Sequence, residues 1–115
     1  MKAVDPVEVD PDDCPEPNGP ETVPDGAIAR VLPIVNRKGL HARASAKFVQ
    51  TVERFDAAVT VTRCGETVGG RSIMGLLTLA AAKGTTIHVA ATGAQAAEVI
   101  DALDALLANR FGEDE

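Results

Sequence analysis

From residue 28 onward the apolar positions of the chain follow two alternating rhythms, one of period two and one near 3.6. Residues 29–35 are rich in branched aliphatics and read as a strand. Pro33 within them has no N–H to give to a ladder, so this strand is expected at a sheet edge. Residues 36–39 form a loop. Over residues 41–55 the period lengthens, and Ala42, Ser45, Phe48, Val49, Val52 and Phe55 fall on one helical stripe. Residues 57–63 alternate and carry β-branched side chains, 64–66 turn, and 67–70 return as a second strand. Ser72 suits the N-cap of a short helix over 73–79, in which Gly75 is a weak helix former. Lys83 and Gly84 close that segment, and 85–91 form a strand. Thr92 and Gln95 have the spacing of a capping box. They precede a stripe of Ala96, Val99, Ile100, Leu103, Leu106, Leu107 and Phe111.

The resulting order is β-α-β-β-α-β-α, without internal repeats. The economical way to bury these stripes is an α+β sandwich, in which three helices cover one face of a four-stranded antiparallel sheet. Residues 1–26 read differently. They hold six of the seven prolines and eight acids against Lys2 alone. Such a segment lacks the apolar surface that would offset the entropy of folding, so an acidic disordered tail over 1–26 and a domain over 27–115 are expected.

Separating the tail changes the charge picture. The chain carries −6 overall, yet residues 27–115 hold ten basic residues against nine acids, three of them at 113–115. The folded part is thus mildly basic. No apolar run is long enough to cross a bilayer, and neither a basic start nor an apolar h-region marks the first residues, so a cytoplasmic protein without membrane insertion is expected. Cys14 and Cys64 lie in dissimilar contexts and are read as two unpaired thiols. No metal-ligand spacing, nucleophile triad or Walker loop is present, so no metal, cofactor or hydrolytic activity is expected.

The chemistry narrows to two histidines. His88 is flanked by strand residues, with neither a base nor a second ligand nearby in sequence, and reads as structural. His41 stands where the loop containing Gly39 meets a helix, in Gly39-Leu-His-Ala-Arg43. The first N–H groups of a helix lack internal partners, and with the macrodipole they favour an anion. Arg43 adds a fork of donors suited to phosphate oxygens, and Arg37, Lys38 and Lys47 add positive field. Imidazole is a nucleophile near neutral pH without an activating base. This combination suits a phosphoryl carrier. Ser72 is a second candidate, because a phosphate at a helix N-cap adds about −1.5 to −2 charges without opposing the helix.

Gly39-Leu-His-Ala-Arg43, followed about thirty residues later by Arg71-Ser-Ile-Met-Gly75, resembles the HPr family, the histidine phosphocarriers of the bacterial phosphoenolpyruvate phosphotransferase system. The resemblance extends over roughly residues 28–111. It implies an open-faced sandwich in which His41 is phosphorylated on Nδ1 by enzyme I and passes the group to a IIA-type acceptor. It implies further that Arg43 stabilises the phosphohistidine and that Ser72 is a target of HPr kinase/phosphorylase. The docking face would lie on the first two helices, with Leu40, Arg37, Lys38, Lys47, Ile73, Met74 and Leu77 as partner-binding residues on a monomeric carrier that is not itself an enzyme. Many members have Pro where this chain has Ala44, which leaves the helix start less constrained.

Two other classes fit the sequence less well. A purely regulatory module controlled by Ser72 has no need of His41, which is present. A nucleic-acid binder of similar architecture would use aromatic stacking on its strands. The chain has three Phe, none on a predicted strand, and an acidic tail.

Overall fold

The computed structural model describes residues 26–113. The tail expected over 1–26 therefore lies outside the described residues except for Gly26. Four strands, β1 (Ile28–Pro33), β2 (Ala58–Arg63), β3 (Glu66–Gly69) and β4 (Thr86–Thr92), form one antiparallel sheet in the order β1-β4-β2-β3. Three helices, α1 (Ala42–Glu53), α2 (Ile73–Thr78) and α3 (Ala96–Ala108), complete the sandwich, and a 3-10 turn, Arg110–Gly112, follows α3. Pro33 ends the outer strand β1 opposite Thr86, as its missing donor requires.

Alternation decides which face of the sheet is covered. Leu32, Val59, Val61, Ile87, Val89 and Ala91 are buried and meet the helical stripes of Phe48 and Val52 from α1 and of Val99, Ile100, Leu103 and Leu107 from α3. α3 packs on β1 and β4, α2 packs on β3, and α1 packs against both other helices. Arg30 ties β1 to α3, donating to Asp101 at 3.0 Å and to Asp104 at 3.2 Å. The two-residue turn Cys64–Gly65 has positive φ at both positions (54° and 78°), the geometry that matches the twist of a hairpin.

Three sequence expectations need correction. Thr92 does not cap α3, because it still belongs to β4. Gly93, at φ +113°, lets the chain leave the sheet, and Gln95 stands at the N-cap instead. There the Gln95 side chain is occupied elsewhere: Oε1 accepts from the Asp56 amide at 2.7 Å, and the Gln95 amide donates back to Asp56 O at 3.0 Å. Phe111 is buried as expected, though not on the stripe of α3. It reaches the core through a chain reversal in which Arg110, Phe111 and Gly112 all have positive φ. Cys64 is not an unpaired thiol: it is held in a disulfide whose partner lies outside the described residues. The hairpin turn puts it at the periphery of the sheet.

Two glycines set the positions of the loops around His41. A Cβ on Gly39, at φ +65°, would stand 2.4 Å from Ala81 O and 2.9 Å from Ala82 Cα. A Cβ on Gly84, at φ +94°, would meet open space. Gly39→Ala is therefore expected to cost about 3 kcal/mol, from left-handed strain plus the clash, and Gly84→Ala about 1 kcal/mol, from strain alone. Urea denaturation of the two variants measures the difference.

Candidate functional site

The loop of residues 36–40 is fastened from both sides before the chain enters α1. The Gly39 amide donates to Asn36 O at 3.2 Å, and the Leu40 amide donates across to Ala81 O at 2.9 Å. Leu40 itself points into the core and is 4% exposed. After His41, Ala44 and Ser45 are fully buried, and Ser45 Oγ donates back to Leu40 O at 3.3 Å. His41, between these anchors, is the N-cap of α1 in an extended backbone conformation, with no side-chain hydrogen bond to the helix. Its carbonyl accepts from the Ser45 amide at 2.8 Å. The amides of Ala42, Arg43 and Ala44 are thus left without an intrahelical acceptor. No acidic residue occupies the first turn to neutralise that end.

The imidazole is 27% exposed and has one close partner, a residue that sequence reasoning missed. His41 Nε2 lies 2.5 Å from Glu113 Oε2. An ionised carboxylate only accepts, so the hydrogen is on Nε2 and donates to Glu113. Glu113 Oε1 accepts in turn from Asn36 Nδ2 at 3.0 Å, and the same Nδ2 donates to Gly39 O at 2.9 Å. Glu113 is brought here by the reversal after α3. Phe111 is 1% exposed, and Lys47 Nζ donates to Phe111 O at 2.6 Å. Burial pushes the Glu113 carboxyl up. Hydrogen bonds from Asn36 and then His41, together with the charges of His41 and Lys38, outweigh that and hold it below its ordinary value. The signal available in the sequence was Phe111 followed by Gly112: an apolar anchor, then a residue that permits a turn.

Arg43 is exposed in the first turn of α1, two residues beyond His41. Ser72 is the N-cap of α2, where its Oγ accepts from the Gly75 amide at 2.9 Å. Since α1 and α2 pack together and the Leu40 amide is bonded to the loop after α2, both candidate residues open onto the same layer. His88 does not join them. It lies on β4 between the buried Ile87 and Val89, so alternation turns it to the sheet face opposite the helices.

The family description "PTS HPr component phosphorylation site" matches residues 28–109. The chain belongs to the HPr family. It is a phosphocarrier protein of the phosphotransferase system. The phosphocarrier protein HPr of Neisseria meningitidis is 51% identical over 88 residues, covering 76% of this chain and 99% of that one. The multiphosphoryl transfer protein of Haemophilus influenzae is 36% identical over 96 residues, covering 81% of this chain and 19% of that protein. Among solved structures, HPr-C-His of Thermoanaerobacter tengcongensis superposes with a TM-score of 0.73 at 35% identity, covering 76% of this chain and 99% of that one.

On this HPr fold the residues expected to bind partners divide. Ile73 and Met74 are exposed, Met74 by 72%, and Leu77 is half-buried beside them on α2. Arg37 and Lys38 are exposed on the loop before His41. Leu40, expected among the partner-binding residues, is a correction: its side chain is 4% exposed and anchors the loop from within the core. Lys47 is half-buried and committed to Phe111 O, so it holds the reversal after α3 in place.

The lowered carboxyl of Glu113 has a pH consequence. A group whose folded value is depressed adds stability above its unfolded value, near 4.3 for Glu, and loses it as pH falls through the folded value. Wild type is therefore expected to melt above Glu113→Gln at pH 7, with the gap closing as pH drops below about 4. Thermal melts of both chains from pH 7 to pH 3 measure this.

Proposed function

We propose that His41 accepts a phosphoryl group on Nδ1 from phospho-enzyme I and passes it to a IIA-type acceptor, in the cytoplasm and as a monomer. The observation that carries this reading is a partly exposed imidazole at the N-cap of α1, beside helix amides with no intrahelical partner. A lone pair on the ring attacks phosphorus. The new N–P bond forms as the bond to the donor breaks, and the donor atom keeps that electron pair. The three phosphoryl oxygens then have amide donors at the helix opening, and the Arg43 guanidinium is the charged donor closest in sequence. Ala44, where many relatives have Pro, retains an N–H at this end of the helix. Passing the group onward reverses these steps with the acceptor as nucleophile. Catalysis is then mainly a matter of positioning and charge, much of it supplied by the docked partner.

The exposed aliphatic side chains of Ile73 and Met74, together with the exposed Arg37 and Lys38, suit partners that combine an apolar patch with acidic side chains. The likeness to a domain-sized part of a multiphosphoryl transfer protein supports a place in a phosphoryl relay. Ser72 supports a regulatory layer on the same face. A phosphate on its exposed hydroxyl would sit at the opening of α2 and add negative charge next to Ile73 and Met74. HPr kinase/phosphorylase is the enzyme that the family resemblance implies for this step. An acidic partner would be repelled while the fold is retained.

With phosphoenolpyruvate and enzyme I, wild type and Ser72→Ala are expected to take up label and His41→Ala to take up none. Label retained by His41→Ala would end the reading. Ser72→Asp is expected to melt within about 0.5 kcal/mol of wild type but to receive phosphoryl groups from enzyme I more slowly. Stopped-flow transfer and calorimetry together check that pair.

A further inference from the structure

We infer that Glu113 is a positioning residue for phosphoryl transfer: its carboxylate holds the proton on His41 Nε2 and leaves the Nδ1 lone pair as the nucleophile. This rests on the His41 reading above and deepens it.

The geometry is specific. One carboxylate oxygen faces His41 Nε2 and the other accepts from Asn36 Nδ2. Both oxygens are therefore directed, and the carboxylate cannot rotate without losing a bond. Asn36 is fully buried and also holds Gly39 O, the carbonyl that accepts from the His41 amide at 2.9 Å. One amide side chain thus sets both the loop that carries the imidazole and the carboxylate that orients its ring. Glu113 is itself carried by a seated reversal. Arg110 and Phe111 adopt left-handed backbone at a cost of about 1–2 kcal/mol each. The buried Phe111 ring and the Lys47 bond to Phe111 O offset that cost.

This arrangement gives the ring a defined course. Attack requires the ring form with hydrogen on Nε2 and a lone pair on Nδ1. When Nδ1 bonds to phosphorus the ring acquires positive charge, and the departing donor atom takes the electron pair of its own bond. No proton has to leave, since the Nε2 hydrogen stays between the ring and Glu113. The carboxylate is already in place where this charge develops, and that differential stabilisation speeds phosphorylation of the ring. A buried acid orienting a histidine works by the same principle in hydrolytic triads.

Phosphoramidate, a small phosphoryl donor that needs no docking surface, serves as the probe on the full chain. Glu113→Ala is expected to be labelled roughly ten- to hundredfold more slowly than wild type, the usual cost of removing an orienting partner. Glu113→Gln keeps an acceptor without the charge and should fall between the two. In 15N-imidazole NMR, the His41 Hε2 resonance should be visible and exchange-protected in wild type and lost in Glu113→Ala, while backbone amide spectra of the core stay superimposable. A labelling rate in Glu113→Ala equal to or above wild type, or an Hε2 resonance that survives, overturns the assignment. His41→Ala separates the two readings. If it takes up no label while Glu113→Ala matches wild type, only the role of Glu113 falls; if it still takes up label, the phosphoacceptor reading falls as well.

Discussion

Leu40 and Ala44 are drawn into the core on either side of His41, and the position of the imidazole depends on that. Fully burying a leucine side chain favours folding by about 1.5–3 kcal/mol. Leu40 therefore pins the chain one residue before the helix opens, and the Leu40 amide to Ala81 O bond sets its height. With Leu40 one residue before and Ala44 three residues after fixed inward, the N-cap residue is left partly exposed, its ring at the end of α1 where amides lack partners. Gly39 is the residue that lets the loop come this close to Ala81, because any side chain there would collide with that carbonyl.

Around this point two opposite charges are arranged without cancelling each other. The helix opening and the basic residues Arg43, Lys38 and Arg37 are the groups we propose to attract a phosphoryl group. The Glu113 carboxylate bonds to the distal ring nitrogen and is held there by Asn36. A carboxylate placed on the amides themselves would compete with the incoming anion. At Nε2 it would instead complement the charge that the proposed phosphorylation gives the ring. Lys47 is the link between them, since it lies on α1 and grips the reversal that delivers Glu113.

Much of this was legible in the chain. The period-two segments became strands within one or two residues, Pro33 marked an outer strand, and the stripe of Phe48, Val49 and Val52 faced the core. The junction at His41 could be read because loop, histidine and helix start are contiguous in sequence. What escaped depends on contacts between residues far apart. Leu40 was expected on the docking face from the family resemblance, and the docking of its loop on Ala81 buries it instead. Thr92 and Gln95 had capping spacing, yet Gly93 and the bonds to Asp56 moved the helix start. Phe111 fitted the stripe of α3 by number, but its left-handed backbone carries the chain back towards His41. Asn36 and Glu113 are 77 positions apart and meet only through that reversal. Cys64 likewise carried no local mark of its pairing.

The central claim is that this fold presents one nitrogen of one ring to a phosphoryl group. Heteronuclear NMR on the phosphorylated chain, with 15N in its histidines, tests it through the one-bond coupling between phosphorus and ring nitrogen. The account predicts a single coupled site, Nδ1 of His41, with Nε2 still protonated. Coupling to Nε2 of His41, or to either nitrogen of His88, would contradict it.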